Sequence, residues 1–198
     1  MDQSKVQLSA EEWQLLQNSG WILTKHAIID KVYHLFGGLS QRMQLSLPQR
    51  GLPPEVLQHS PKISKGEQYE RMPWVVLDYP RCFGRENVFA IRTFFWWGHS
   101  FSVTIHLKGT YRDRYLPVLQ QRWAELAAAG FHVGISEDEW RHEHVPETYR
   151  PLVSAEELPI TSSFLKLSGA CGLDRWGEAH EVLLGLFRVL VDVLTAPH

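Results

Sequence analysis

Residues 87–108 read Asn-Val-Phe-Ala-Ile-Arg-Thr-Phe-Phe-Trp-Trp-Gly-His-Ser-Phe-Ser-Val-Thr-Ile-His-Leu-Lys, and this stretch constrains the fold more than any other part of the chain. Two runs rich in β-branched and aromatic residues flank Trp97-Gly98-His99, the pattern of a hairpin. In the second run Phe101, Val103, Ile105 and Leu107 alternate with Ser102, Thr104 and His106. A strand projects successive side chains to opposite faces, so one face is apolar and the other polar. The first run places Phe89, Ile91, Thr93, Phe95 and Trp97 on one face, and Val88, Ala90, Arg92, Phe94 and Trp96 on the other.

Turn length decides which faces coincide, because a slip of one residue reverses every side chain. A three-residue turn at 97–99 joins the two apolar faces and sets Arg92 beside Ser102, Thr104 and His106, rimmed by Phe94 and Trp96. A turn of two or four residues would bury the Arg92 guanidinium against Val103 or Ile105, at a cost of several kcal/mol. The first register is therefore expected. It makes an aromatic platform with one fixed positive charge.

The strand before it is expected at Met72–Tyr79, closed by Pro80. Further short strands are expected at 131–136 and 160–168, where alternation returns. Ser9-Ala-Glu-Glu12 has the capping-box form and opens a short helix through about Gln17. A second helix is expected from about Trp21 to Phe36, ended or kinked at Gly37-Gly38, with a polar continuation from Leu39 to Ser46. Between Thr110 and Ala129 helical composition conflicts with Pro117, so the helix should break there or begin there. Asp174 is expected to cap a last helix of about 174–194, apolar over most of its circumference. Residues 47–72 hold several prolines and read as loop, with a short strand or ordered segment around 62–67. The result is an α+β class: an antiparallel sheet of about four or five strands built on a 74–108 meander, with N-terminal helices (about 9–46) and the C-terminal helix packed on one face. With 198 residues, a single domain is expected.

Composition narrows function mainly by exclusion. The formal net charge is −2, and the cations are dispersed, so no nucleic-acid or anionic-membrane partner is expected. No apolar run approaches the ~20 residues of a membrane-spanning helix. The two cysteines, Cys82 and Cys171, are not in a metal or redox spacing. A reduced, cytoplasmic protein is the expectation. Phosphate-loop, dinucleotide and nucleophile-elbow motifs are absent, so no cofactor is expected. Glu137–His144 is rich in acids and histidines but lacks a ligand spacing; a solvated acidic loop is expected there, and no metal.

The candidate site is thus the polar face of the hairpin. Arg92, Trp96, Thr104 and His106, joined by Tyr79 and Arg81 at the strand exit, are the expected ligand-binding residues. Arg offers a forked donor to a carboxylate or phosphate, and the aromatics offer stacking area. The expected function is binding of a small anionic or aromatic ligand. One alternative is an enzyme acting on a small anionic substrate with His106 as acid or base. Another is an interaction module, a homodimer through the apolar C-terminal helix. The plainest alternative is a second packing layer, with Arg92 paired to Asp78 beneath a helix.

Overall fold

The structure, a computed structural model, describes residues 6–47, 51–158 and 162–196. Among these residues, seven strands form one antiparallel sheet in the order β1-β2-β3-β4-β7-β5-β6. They are β1 (Lys62–Tyr69), β2 (Met72–Phe83), β3 (Val88–Trp96), β4 (Ser100–Lys108), β5 (His132–Gly134), β6 (Tyr149–Pro151) and β7 (Phe164–Gly172). The α+β class is as expected from the sequence, with more strands than the four or five read from it. The additions are the short edge strand β6 and the full-length β1, whose Lys- and Gly-containing pattern resembles loop.

The 97–99 turn has the expected length. Trp96 pairs with Ser100, Phe95 with Phe101, and Arg92 with Thr104, with Gly98 in the left-handed region at φ +75°. The odd residues Phe89, Ile91, Phe95, Phe101, Val103, Ile105 and Leu107 consequently lie in one apolar core with Leu165 and Leu167 of β7. Strand β2 does not stop at Pro80. It runs on to Phe83 across an irregularity between Asp78 and Arg81, which is where a residue without an N–H fits a ladder.

Helices cover that core face. α1 (Ala10–Gln17) carries the expected capping box. α2 (Ser19–Ser46) passes through Gly37-Gly38 without a stop. The glycine penalty of about 1 kcal/mol each is outweighed because Leu39, Met43 and Leu47 beyond them are completely buried. After the single turn α3 (Pro54–Leu57) and the first four strands, α4 (Thr110–Gln121) keeps Pro117 inside it. Both Pro117 and Asp113, whose carbonyl loses its partner, lie on the exposed side, where water replaces the missing bond. The break falls instead at Arg122, before α5 (Trp123–Ala128).

The last helix also starts later than expected. Residues Leu173–Glu178 are 3-10, and α6 spans Ala179–Thr195 without a side-chain cap. Its broad apolar surface is used within the chain: Leu183, Leu184, Phe187, Leu190 and Val191 are all buried. The expected strand at 160–168 is found as β7, four residues later; residues 159–161 lie outside the described residues. Among the described residues no helix is long and apolar enough to cross a membrane.

Candidate functional site

Across the sheet from the helices lies the polar face, and an irregular segment, residues 135–148, folds over part of it. Register brings its residues together. Trp74 pairs with Trp96, Val76 with Phe94 and Asp78 with Arg92, while Thr104 pairs with Ser168 and His106 with Lys166. Four neighbouring strands thus contribute their even-numbered side chains to one surface.

Arg92 is at its centre. Its Nε and Nη2 donate to the two carboxylate oxygens of Asp78 at 2.7 and 2.9 Å, a forked pair. Its Nη1 meets Nε2 of His142 in the overlying segment. A guanidinium only donates, so His142 must accept at Nε2 and carry its proton on Nδ1. Burial, then the charges of Arg92 and Lys166, push the His142 imidazole far below its ordinary value and keep it neutral. Of the five Arg92 N–H groups three are engaged in these bonds, and the other two have no acceptor in the hydrogen bonds of the described residues.

The segment is tied down on both sides. Glu139 accepts from Lys108 at 2.6 Å and lies 3.1 Å from Nε2 of His106. Lys166, almost fully buried, donates to the backbone carbonyls of Glu139 and Arg141. Burial, with Arg92 next, lowers the Lys166 ammonium to about 7. The same causes act on His106: burial first, then Lys166, Arg92 and Lys108, push it down to about 3. Neutral His106 therefore donates its Nε2–H to the Glu139 carboxylate.

Glu137 and Asp138 are exposed, as expected of a solvated loop. Glu143, however, is 1% exposed and Glu139, His142 and His144 are partly buried, so these residues of Glu137–His144 are packed against the sheet. Burial raises the Glu143 carboxyl, but hydrogen bonds from Tyr69 and Arg141 outweigh it and the net shift is downward. Tyr69 in turn is raised to about 12 by burial and by Glu143. A two-residue turn with Glu70 and Arg71 both at positive φ follows Tyr69 and aims it back over the sheet. His144 leads away, its Nδ1 3.0 Å from the Ser168 hydroxyl. Among the described residues no cluster of three potential metal ligands forms.

Between this segment and the sheet opens a cleft of about 290 Å³. Tyr69, Trp74, Phe94 and Trp140 are its aromatic walls, with Val76, Arg92 and His142 completing the lining. Tyr69 meets Phe94 edge-on at 5.4 Å and stacks near His142 at 6.2 Å. The walls are therefore fixed by one another. Trp140, about half exposed at the mouth, meets His106 edge-on at 5.6 Å and His142 at 6.4 Å.

Of the six residues expected from the sequence to bind ligand, only Arg92 lines this cleft. Trp96 is buried on the same face but donates its indole N–H to the Tyr69 carbonyl at 3.3 Å and stacks on His99 at 3.5 Å. Thr104 is buried and donates to Ser168. His106 is buried beneath Trp140 and Phe164. Tyr79 packs in the helix-side core, on the odd-numbered face of β2 with Val75 and Leu77 and opposite to Asp78 and Arg92. Arg81 donates to the Ser60 carbonyl at the sheet margin. The residues that sequence reasoning missed are Tyr69, Trp74, Val76, Trp140 and His142. Trp74 and Val76 share parity with Asp78, which signals their face once β2 is aligned on β3; nothing comparable marks the covering segment. No protein-family model, curated protein or solved structure matches the chain.

Proposed function

We propose that the protein binds a small planar molecule carrying a hydrogen-bond acceptor, a carboxylate or carbonyl, in the cleft above Arg92. The observation that carries this reading is the composition of the cleft: four aromatic walls around a floor that offers donors, the spare Arg92 N–H groups and the neutral His142. Aromatic walls favour a flat ligand by stacking and by apolar burial. Asp78 already balances the Arg92 charge, so the ligand need not be a full anion. An acceptor oxygen is the feature the floor recognises. The two cysteines, neither in a disulfide, fit a reducing compartment, and we assign the protein to the cytoplasm on that ground.

A ligand of about a dozen non-hydrogen atoms, such as indole-3-carboxylate, gains roughly 4–6 kcal/mol at ordinary ligand efficiency, a Kd between about 1 mM and 50 µM. Thermal shift at ~5 mM indole-3-carboxylate and its amide should raise the melting temperature of the wild type by mass action. Trp140→Ala, a change at the exposed rim, should abolish the shift. Absence of a shift with either compound, or a shift unaltered in Trp140→Ala and Trp74→Ala, rejects the reading.

An acid–base role for His106 has one observation in its favour, the Glu139 carboxylate within hydrogen-bond reach. Against it, the imidazole is only 4% exposed and its proton is held between protein groups. Binding is the better-supported function.

A further inference from the structure

The N-terminal arm carries an apolar surface that the described residues leave uncovered. α1 has no buried residue. The first ten residues of α2, Ser19–Ile28, project about 15 Å before Ile29 reaches the core. On this arm Leu16 is 67% exposed, Leu23 68% and Trp13 53%. Leu8, Leu15, Trp21 and Ile22 are also about half exposed or more. An eight-residue helix is marginal in water by itself, so α1 gains its stability by being covered.

We propose that this arm is a self-association surface occupied by the arm of a second copy of the chain. Three observations favour a second copy. The first is area: with roughly 100 Å² open on each of seven large apolar side chains, the arm presents on the order of 700–800 Å². As an upper bound on what the arm can bury, this is comparable to the ~800 Å² per partner of a stable interface. The second is shape. A groove of about 340 Å³ between Leu8, Leu15, Leu16, Trp21 and Ile22 lies on the same arm as the projecting Trp13 and Leu23, which do not line it. A twofold contact needs such a surface, one that offers both the projection and the recess.

Charge is the third. Residues 9–23 include no Lys or Arg, whereas helices that lie on a bilayer carry a basic polar face. Glu12, the charged residue at the groove, is engaged in the capping box with the Ser9 backbone and hydroxyl. With Glu12 ionised and no cation among its lining residues, the recess offers nothing to an anionic lipid headgroup.

Sedimentation velocity of the full chain from ~1 to ~100 µM should give a dimer with Kd below about 10 µM. Leu16→Glu and Leu23→Glu should each raise that Kd at least ~30-fold, with any loss of helical circular dichroism limited to the eight residues of α1. Leu45→Glu, 77% exposed near the other end of α2, should not alter it. A monomer at every concentration overturns the proposal, as does a dimer indifferent to both arm substitutions. A monomer that floats with phosphatidylcholine vesicles would assign the arm to a lipid surface, and also overturns it.

Discussion

Acidification should unfold this protein above the pH at which carboxylates titrate, because three histidines, His106 beneath the 135–148 segment and His142 and His144 within it, are held neutral. Burial and the surrounding cations push His106 down to about 3, and the same forces hold His142 further down. Burial, with His132 beside it, lowers His144 to about 4. Between 6.5 and these values the unfolded chain binds protons that the folded protein does not, so stability falls as pH falls. At pH 5 each histidine accounts for about 1.5 pH units of this difference, or about 2 kcal/mol, and the three together for about 6 kcal/mol. That is comparable to the whole stability of many domains, about 5–15 kcal/mol. Urea unfolding followed by circular dichroism at pH 7.5, 6.5, 5.5 and 5.0 should give a slope approaching ~4 kcal/mol per pH unit below about pH 6. His142→Gln retains an acceptor for Arg92 and should reduce that slope by about one third. A stability that changes by less than ~1 kcal/mol between pH 7.5 and 5, or an unaltered slope in His142→Gln, refutes the reasoning.

Three further outcomes test separate parts of the account. Lys166 is lowered to about 7 in the fold, so above pH 7 the unfolded chain holds the extra proton and stability should rise by about 2 kcal/mol from pH 7.5 to 9. Lys166→Met should flatten that rise in the same urea series; a rise that persists would assign it elsewhere. Phe101 is completely buried between Phe36, Phe95 and Trp176, so Phe101→Ala should cost about 3–5 kcal/mol in denaturant unfolding, and a loss below ~1 kcal/mol would contradict the packing. Gly109 stands at φ +60° before α4, where an added Cβ would collide with Asn87 and the Glu86 carbonyl. Gly109→Ala should therefore lower stability by about 2 kcal/mol or more, and an unchanged melting temperature would count against the turn.

The hairpin was legible from sequence because three constraints agree there. Strict alternation in β4, the cost of burying Arg92 in any other register, and the glycine at 98 all select one pairing. The Arg92–Asp78 pair follows from the same parity. The covering of that face was not legible. Residues 135–148 have no period, and their acids and histidines resemble a solvated loop, yet Glu143 and His142 are held by Tyr69 and Arg92, more than forty residues distant in sequence. Tyr79 was misplaced for a different reason. It shares parity with Val75 and Leu77, which sets it on the core face, and grouping it with Arg81 as a strand exit passed over that parity. Helix ends failed where burial overrode propensity: Gly37-Gly38 did not stop α2, nor did Pro117 stop α4, because core contacts continue on both sides.

The central claim is that a planar, acceptor-bearing ligand enters the cleft walled by Trp74 and Trp140. The eight tryptophans make this directly observable, since each indole N–H gives its own signal in a ¹H–¹⁵N spectrum. On titration with indole-3-carboxylate to ~5 mM, a level above the expected Kd, the Trp74 and Trp140 signals should move together and saturate, while Trp13, Trp21, Trp123 and Trp176 stay in place. Signals that stay fixed at 74 and 140, or that move first at the N-terminal arm, would contradict the account.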